Sequence, residues 1–264
     1  MKRIIITSLI ASFALCASFA FAEDNQAPDG REAARADGND FVSKKAGLED
    51  THVQSGTDLV GYVSLFDGKT LTNWEGDPTF WSVKDGCITG VSTPDHKVPY
   101  SMHIAWTGEP ASDFELLIDF KLTNGNSGVM YRAAKDARRQ WGLMGYQADM
   151  DSRNNYTGIM YGEEIGGILT GRGQKCKIGT DRKAVVLEQF ANSKDLEKHI
   201  NFEDWNTYRI VVKGNVMTHY INGVMMSQTI EEDPSQLKSG TFGMQIHPGP
   251  PMTVQFKNIY LKKL

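Results

Sequence analysis

Apolar and polar residues alternate along much of the second part of the chain, a pattern that predicts β-strands. In "DFELLIDFKLT", every second residue from Phe114 to Phe120 is large and apolar, so these side chains share one strand face. The stretch "FGMQIH" alternates in the same way and places Gln245 and His247 on its second face. Each such strand therefore has an apolar face for a core and a polar face turned away from it.

Short apolar segments separated by Gly, Asp or Pro continue this pattern toward the end of the chain. They are "YVSLF", "FWSVK", "CITGV", "SGVMYRA", "GYQADMD" and "MTVQFKNIYLKKL". Asn222-Gly223 is a strong hairpin signal. The stretch "NSKDLEKHI" predicts a short surface helix, with Ser193 as its cap and Leu196 and Ile200 on one side. Many short strands without long helices indicate an all-β fold, a sandwich of two antiparallel sheets.

The first 22 residues have the pattern of a secretory signal peptide. Lys2 and Arg3 give a positive start, an apolar run follows, and a small-residue Ala-x-Ala site ends at Ala22. Two alternatives stay open. The apolar run is nearly long enough for a membrane anchor, and Cys16 offers a lipid-anchor position, although Leu15 stands where a small residue is preferred. We expect cleavage after Ala22 and an exported chain, periplasmic or extracellular.

Two further parts follow the predicted leader 1–22. Residues 23–58 are rich in Asp, Glu, Ala, Gly and Asn and contain few large apolar residues, which predicts a flexible linker. Residues 59–264 turn aromatic and β-branched. Their length, about 200 residues, suits a single β-sandwich domain.

Charge and cysteine content narrow the classes of partner. The 28 Lys and Arg against 32 Asp and Glu give a net charge of −4, and loss of Lys2 and Arg3 with the leader makes this −6. This mild acidity argues against nucleic acid and, after signal cleavage, against an anionic membrane surface as partner. Cys87 and Cys176 remain, and a disulfide and two buried thiols are equally open. The oligomeric state stays undetermined.

Polar side chains of a type that lines clefts recur on the second faces of four strands. They include Asp, Gln, Arg and His where an idle solvent face would carry Lys, Glu and Thr: Asp119, Arg132, Gln147, Asp149, Asp151, Gln245 and His247. Long loops flank these strands, so we expect a concave groove for a carbohydrate. Tyr156 and Tyr161 have rings suited to stacking on sugars.

Ordinary two-carboxylate glycosidase chemistry fits the sequence poorly. Jelly-roll glucanases carry three carboxylates on one strand face in the pattern Glu-x-Asp-x-Glu. Asp149 and Asp151 come nearest to that pattern, and a third carboxylate is absent from the stretch.

These segments, taken together, resemble the 3-keto-disaccharide hydrolase domain family of the concanavalin A-like lectin and glucanase superfamily. The resemblance runs from about Gly61 to Leu264 through "SLFDGKTLTNW", "WSVKDGCITG", "DFELLIDFKLTNGNSGVMYR", "GYQADMD" and "GTFGMQIHPGPPMTVQFKNIYLKKL". It implies a jelly-roll β-sandwich. It also implies a glycoside-cleaving enzyme whose substrate carries a ketone at C3 of the sugar.

The implied reaction needs a base, an oxyanion stabiliser and an acid, not a carboxylate pair. A C3 ketone acidifies the proton on C2, a base removes that proton, and the enediolate expels the C1 oxygen. We expect His247 or Asp149 to be the base. Arg132 is expected to stabilise the oxyanion or to hold a sugar hydroxyl.

The other polar residues are expected to bind and orient. Gln147 and Gln245 would hydrogen-bond sugar hydroxyls, and the rings of Tyr156 and Tyr161 would stack on the sugar. Asp119 would orient one of the catalytic side chains.

No cofactor is required by this scheme, but one alternative includes a metal. A divalent metal held by Asp149, Asp151 and His247 would replace Arg132 as the electrophile. A non-catalytic carbohydrate-binding module stays open as the alternative function, because jelly-roll sandwiches often only bind sugars.

Overall fold

The computed structural model describes residues 59–264, and β-strands make up most of its regular structure. The predicted leader 1–22 and linker 23–58 lie outside the described residues. In chain order the strands are β1 (Val63–Ser64), β2 (Trp74–Glu75), β3 (Trp81–Lys84), β4 (Cys87–Val91), β5 (Met102–Trp106), β6 (Phe114–Thr123), β7 (Asn126–Lys135), β8 (Leu143–Asp151), β9 (Met160–Glu163), β10 (Gly167–Thr170), β11 (Gln174–Ile178), β12 (Ala184–Gln189), β13 (Asn206–Lys213), β14 (Val216–Ile221), β15 (Val224–Glu231), β16 (Thr241–Ile246) and β17 (Thr253–Lys263).

These strands form two sheets, which confirms the all-β jelly-roll sandwich. The first sheet has ten strands in the order β12-β11-β15-β14-β13-β6-β17-β4-β3, with β1 paired to β17. The second has seven strands in the order β10-β9-β8-β7-β16-β5-β2. The pairings are antiparallel except that of β11 with β15, which is parallel. This one parallel pair was not predicted.

The core lies between the inner faces of the two sheets. The alternation predicted for β6 holds, because Phe114 and its apolar partners along the strand are buried. Phe114 on β6 meets Phe242 on β16 edge to face, with ring centroids 4.9 Å apart. This pair joins the two sheets, and it fixes which side of β16 faces away from the core.

The predicted helix is present, but a different residue caps it. Helix α1 spans Ser193–Glu197, and the side chain of Asn192 accepts a hydrogen bond from the backbone N–H of Lys194 at 2.8 Å. Ser193 is therefore the first helical residue and not the cap. Leu196 is buried against the core, as its spacing predicted. No helix within residues 59–264 is long and apolar enough to cross a membrane.

The two cysteines of the domain are buried thiols, not a disulfide. Cys87 lies on β4 and Cys176 on β11, six strand positions apart in the same sheet. At about 4.8 Å for each strand spacing, this separation far exceeds the roughly 7 Å that a disulfide can bridge between Cα atoms. The sheet order therefore decides between the two alternatives that the sequence left open.

Candidate functional site

A pocket of about 640 Å³ opens on the outer face of the seven-stranded sheet. It crosses the sheet from β10 to β16, where the side chains that face away from the core are mostly polar. Six of the eight predicted site residues line it: Gln147, Asp149, Tyr156, Tyr161, Gln245 and His247. Strands β8, β9 and β16 supply four of them, whereas Tyr156 lies in the loop after β8 and His247 directly after β16.

Strand β8 supplies the floor of the pocket. Tyr146 and Ala148 are buried in the core. Gln147 lies between them in the chain and Asp149 follows them, so both side chains point out of the core and into the pocket. On β7, the residue opposite Asp149 is Gly128, and a Cβ added there would lie 2.4 Å from the Gln147 side chain. The missing side chain of Gly128 therefore leaves the space that Gln147 occupies.

Asp149 is a buried acid at the bottom of the pocket. Only 6% of the residue is exposed, and its Oδ1 accepts a hydrogen bond from the Asn126 Nδ2 at 3.0 Å. Burial disfavours the charged form more than this hydrogen bond favours it, and raises the pKa of Asp149 to about 8. The carboxyl group is thus mainly protonated at neutral pH and can donate a proton.

His247 presents the complementary chemistry at the pocket wall. It is half-buried, and its Nδ1 lies 2.7 Å from the carbonyl oxygen of Pro248. A carbonyl oxygen only accepts, so Nδ1 carries the proton and Nε2 keeps its lone pair. The imidazole of His247 can therefore accept a proton through Nε2.

Two buried amide oxygens in the pocket have no protein partner. The Oε1 atoms of Gln147 and Gln245 are enclosed, and neither accepts a hydrogen bond from a described residue. Gln147 is 2% exposed and Gln245 is 1% exposed. An unsatisfied buried acceptor is unfavourable by roughly 1–3 kcal/mol. Both residues line the pocket, so these amide groups lie beside the space that a ligand would occupy.

The structure places Arg132 outside the pocket, contrary to the prediction. A β-bulge between Tyr131 and Ala134 and a backbone φ of 45° interrupt the alternation of β7 at this residue. Its guanidinium is buried and donates hydrogen bonds to the carbonyl oxygens of Ser112 and Gly214, each at 2.8 Å. Arg132 therefore ties loops together and does not face a ligand.

Asp119 also lies elsewhere, because its strand belongs to the other sheet. It is on β6 of the ten-stranded sheet and fully buried. Its carboxylate accepts hydrogen bonds from the Thr207 hydroxyl at 2.5 Å and from the Asn258 amide at 2.7 Å. Asp119 cannot orient a catalytic side chain in the pocket.

Asp151 lines the pocket but serves the loop that follows β8. Its Oδ1 accepts from the backbone N–H groups of Tyr156 at 2.7 Å and of Thr157 at 3.2 Å. Over residues 59–264, no three His, Cys, Asp or Glu side chains are grouped closely enough to hold a metal ion. The metal-ligand set of Asp149, Asp151 and His247 is therefore not assembled.

Among the lining residues that were not predicted from the sequence, three have polar or charged side chains that bear on the chemistry of the pocket. Asn126 lies on β7 and contacts Asp149; Arg153 lies in the loop after β8; Glu163 lies at the end of β9. Glu163 is 8% exposed, and burial raises the pKa of its carboxyl group. The alternation of "NSG" before "VMY" would have placed Asn126 on the face of Gly128. Nothing local pointed to the other two.

The fold is a jelly-roll β-sandwich with a pocket of mostly polar lining on one outer sheet face. The chain belongs to the family whose domain is described as 3-keto-alpha-glucoside-1,2-lyase-like, and the match covers residues 61–262. The resemblance found in the sequence motifs is therefore confirmed over nearly the whole described part of the chain.

Individual relatives are more distant. A 3-keto-disaccharide hydrolase of Bacteroides thetaiotaomicron is 32% identical over 89 residues, which cover 31% of this chain and 30% of that protein. The match thus spans less than a third of the relative's length. Two solved structures from Parabacteroides distasonis, described as glycosyl hydrolases, have TM-scores of 0.51 and 0.52 at 19% and 20% identity. They cover 78% and 77% of this chain, and 94% and 99% of their own chains are matched. These two structures support the fold.

Proposed function

We propose that the protein cleaves glycosides whose sugar carries a ketone at C3, by elimination across C1 and C2. The observation that carries this proposal is a protonated buried acid, Asp149, in the same pocket as a histidine with a free Nε2 and two unpartnered amide oxygens. The family description and the Bacteroides thetaiotaomicron relative support the substrate class.

The two titratable groups divide the proton transfers between them. The Nε2 of His247 takes the C2 proton, and the C2–H electrons form an enediolate with the C3 ketone. When the enediolate returns to the ketone, the C1–C2 double bond forms and the C1–O bond breaks. Asp149 gives its proton to the departing oxygen. Water then adds across the double bond to give the free 3-keto sugar. General acid–base catalysis commonly divides the two proton transfers between two side chains in this way.

The remaining side chains bind the sugar and the developing charge. The Oε1 atoms of Gln147 and Gln245 accept hydrogen bonds from sugar hydroxyls. Arg153 replaces Arg132 as the group that stabilises the enediolate oxygen, because it is the guanidinium among the described lining residues. Its position in an exposed loop allows it to close over a bound substrate.

The test of this proposal is turnover of a 3-keto-disaccharide by the purified protein, with free sugars measured by chromatography. His247→Gln is expected to lower kcat by about 10²–10⁴, the range for loss of a general base, while substrate binding changes little. His199→Gln is the matched control, since His199 is an exposed histidine outside the pocket. Binding without turnover by the unaltered protein would contradict the proposal and indicate a sugar-binding module.

Gly128 offers a second test of the pocket floor. In Gly128→Ala, the new methyl group overlaps the position of the Gln147 side chain, which has to move. We expect about tenfold weaker binding of the 3-keto-disaccharide, in line with the loss of about one hydrogen-bonding group. Titration calorimetry measures it, with Gly179→Ala as the control for glycine replacement, because a Cβ added there lies 3.6 Å from the nearest atom and Gly179 is outside the pocket. Equal affinity in Gly128→Ala and the unaltered protein would exclude Gln147 as a ligand contact.

A further inference from the structure

One end of the pocket is apolar and exposed. Ile168 on β10 lines the pocket, and 55% of its side chain is exposed. Val186 on the edge strand β12 is exposed to a similar extent, 51%, but does not line the pocket. Because Ile168 lines the pocket, its side chain offers a bound ligand an apolar contact.

The strand register connects this apolar end to the polar floor. Ile168 on β10 is opposite Tyr161 on β9, and Tyr161 is opposite Gln147 on β8. Residues opposite each other on antiparallel strands share a face, and neighbouring strands are about 4.8 Å apart. The three side chains therefore form a line of about 10 Å from the amide floor to the apolar end.

The outward direction of Ile168 is fixed by its neighbour in the chain. Leu169 is 1% exposed and belongs to the core cluster, so the strand turns Ile168 to the opposite face. Ile168 thus stays in the pocket wall because moving it inward would expose Leu169.

One carboxyl group lies beside the apolar end of the pocket. Glu163 lines the pocket two residues after Tyr161 on β9, and its carboxyl group makes no hydrogen bond to another described residue. A sugar unit would bring several hydroxyl groups to an end of the pocket that offers few partners for them. A flat aromatic group with one hydroxyl would cover Tyr161 and Ile168 and need one acceptor.

We propose that Tyr161 and Ile168 form a subsite for an aromatic leaving group, while the 3-keto sugar lies over Gln147, Asp149 and Gln245. This inference rests on the proposed function for its chemistry and names the leaving-group class. The bond that breaks is the one between C1 and the phenolic oxygen, and the phenolic oxygen takes the proton of Asp149. Glu163 accepts a hydrogen bond from a hydroxyl group on the far side of the ring.

Kinetics with two leaving groups test the subsite. The substrates are a 3-keto-glucoside of a hydroxyphenol and a 3-keto-disaccharide of two glucose units. Ile168→Ser is expected to lower kcat/KM about tenfold for the aryl substrate and less than threefold for the disaccharide. Val186→Ser, a similar exposed aliphatic residue outside the pocket, is expected to change neither. Equal losses on both substrates with Ile168→Ser, or no loss on either, would overturn the subsite.

A binding experiment separates failure of the subsite from failure of the proposed function. Phenyl and methyl glucosides, in both anomers and without a ketone, are titrated by calorimetry because binding requires no reaction. The unaltered protein is expected to bind one phenyl anomer about tenfold more tightly than its methyl counterpart. Ile168→Ser is expected to remove that difference, and Val186→Ser to keep it.

The outcomes of the titration are distinct. A phenyl preference without turnover of any 3-keto substrate would contradict the proposed function and leave the subsite standing. Equal affinities for phenyl and methyl glucosides, or no binding of either, would overturn the subsite itself.

Discussion

Replacing Asp149 with asparagine is expected to remove most of the cleavage activity and to stabilise the folded protein at high pH. The amide of asparagine keeps the shape of the protonated carboxyl group and can still accept a hydrogen bond from Asn126. It cannot give up a proton to the leaving group. We therefore expect kcat on a 3-keto-disaccharide to fall by about 10²–10⁴.

The stability effect follows from the direction of the pKa shift. Folding raises the pKa of Asp149 from 3.8 to about 8, because burial disfavours the ionised form. The protonated carboxyl group of Asp149 makes its full contribution to stability below pH 3.8. That contribution is lost as the pH rises through about 8, because in this range the unfolded state holds fewer protons than the folded state. Asp149→Asn removes this loss. At pH 9 the variant is expected to be more stable by on the order of 5 kcal/mol, and at pH 4 by little.

Urea unfolding of both proteins between pH 4 and pH 9 measures this difference. Asp95→Asn is the matched control, because Asp95 is an exposed aspartate outside the pocket. If the proposed cleavage holds, the kcat/KM of the unaltered protein is expected to fall about tenfold per pH unit above pH 8, as the acid ionises. A stability difference that does not change with pH would contradict the buried, protonated state of Asp149.

Replacing Arg132 with methionine is expected to destabilise the fold and to leave the chemistry intact. The buried guanidinium satisfies the carbonyl oxygens of Ser112 and Gly214 and forms an ion pair with Asp113 at 3.1 Å. Methionine fills much of the volume but donates nothing. Ser112 and Gly214 are exposed residues, so water can reach their carbonyl oxygens. The loss therefore comes from the hydrogen bonds of the charged guanidinium, which contribute roughly 1.5–3 kcal/mol for such a bond, and we expect a loss of about 2 kcal/mol.

Two measurements distinguish this structural role from a catalytic one. Urea unfolding gives the stability loss, and kcat/KM on a 3-keto-disaccharide, measured at a temperature where Arg132→Met is folded, should stay within about threefold of the unaltered protein. Lys135→Met is the control, because Lys135 and its ion-pair partner Glu75 are 75% and 52% exposed, and surface ion pairs contribute about 0–1 kcal/mol. A large loss of kcat/KM with unchanged stability would show that Arg132 takes part in the reaction.

Alternation along single strands predicted which side chains point away from the core, and these predictions identified most of the predicted residues that line the pocket. It failed at Arg132 because a bulge changes the face of the chain without a clear signal in "VMYRA". It failed at Asp119 for a different reason. The face of that residue was predicted correctly, but alternation does not say which of two sheets a strand joins.

The residues that sequence reasoning missed depend on pairing between distant strands. Glu163 reaches the pocket because β9 pairs with β8, with Glu163 opposite Gly145. Arg153 reaches it because Asp151 holds the loop that follows β8. Neither the register of a pairing nor the path of a loop is encoded in a local repeat of residue types, so these positions became visible only in the folded domain.

The place of β17 in its sheet bears on how the domain reaches its native state. It is the last strand in chain order, yet it lies between β6 and β4, with Thr253 opposite both Thr123 and Val91. The two earlier strands have no common neighbour until β17 has been synthesised. Pairings between such distant segments make folding slow, and until β17 is in place the edges of β6 and β4 are open to other chains. The nascent domain is therefore most prone to aggregation just before its last strand emerges.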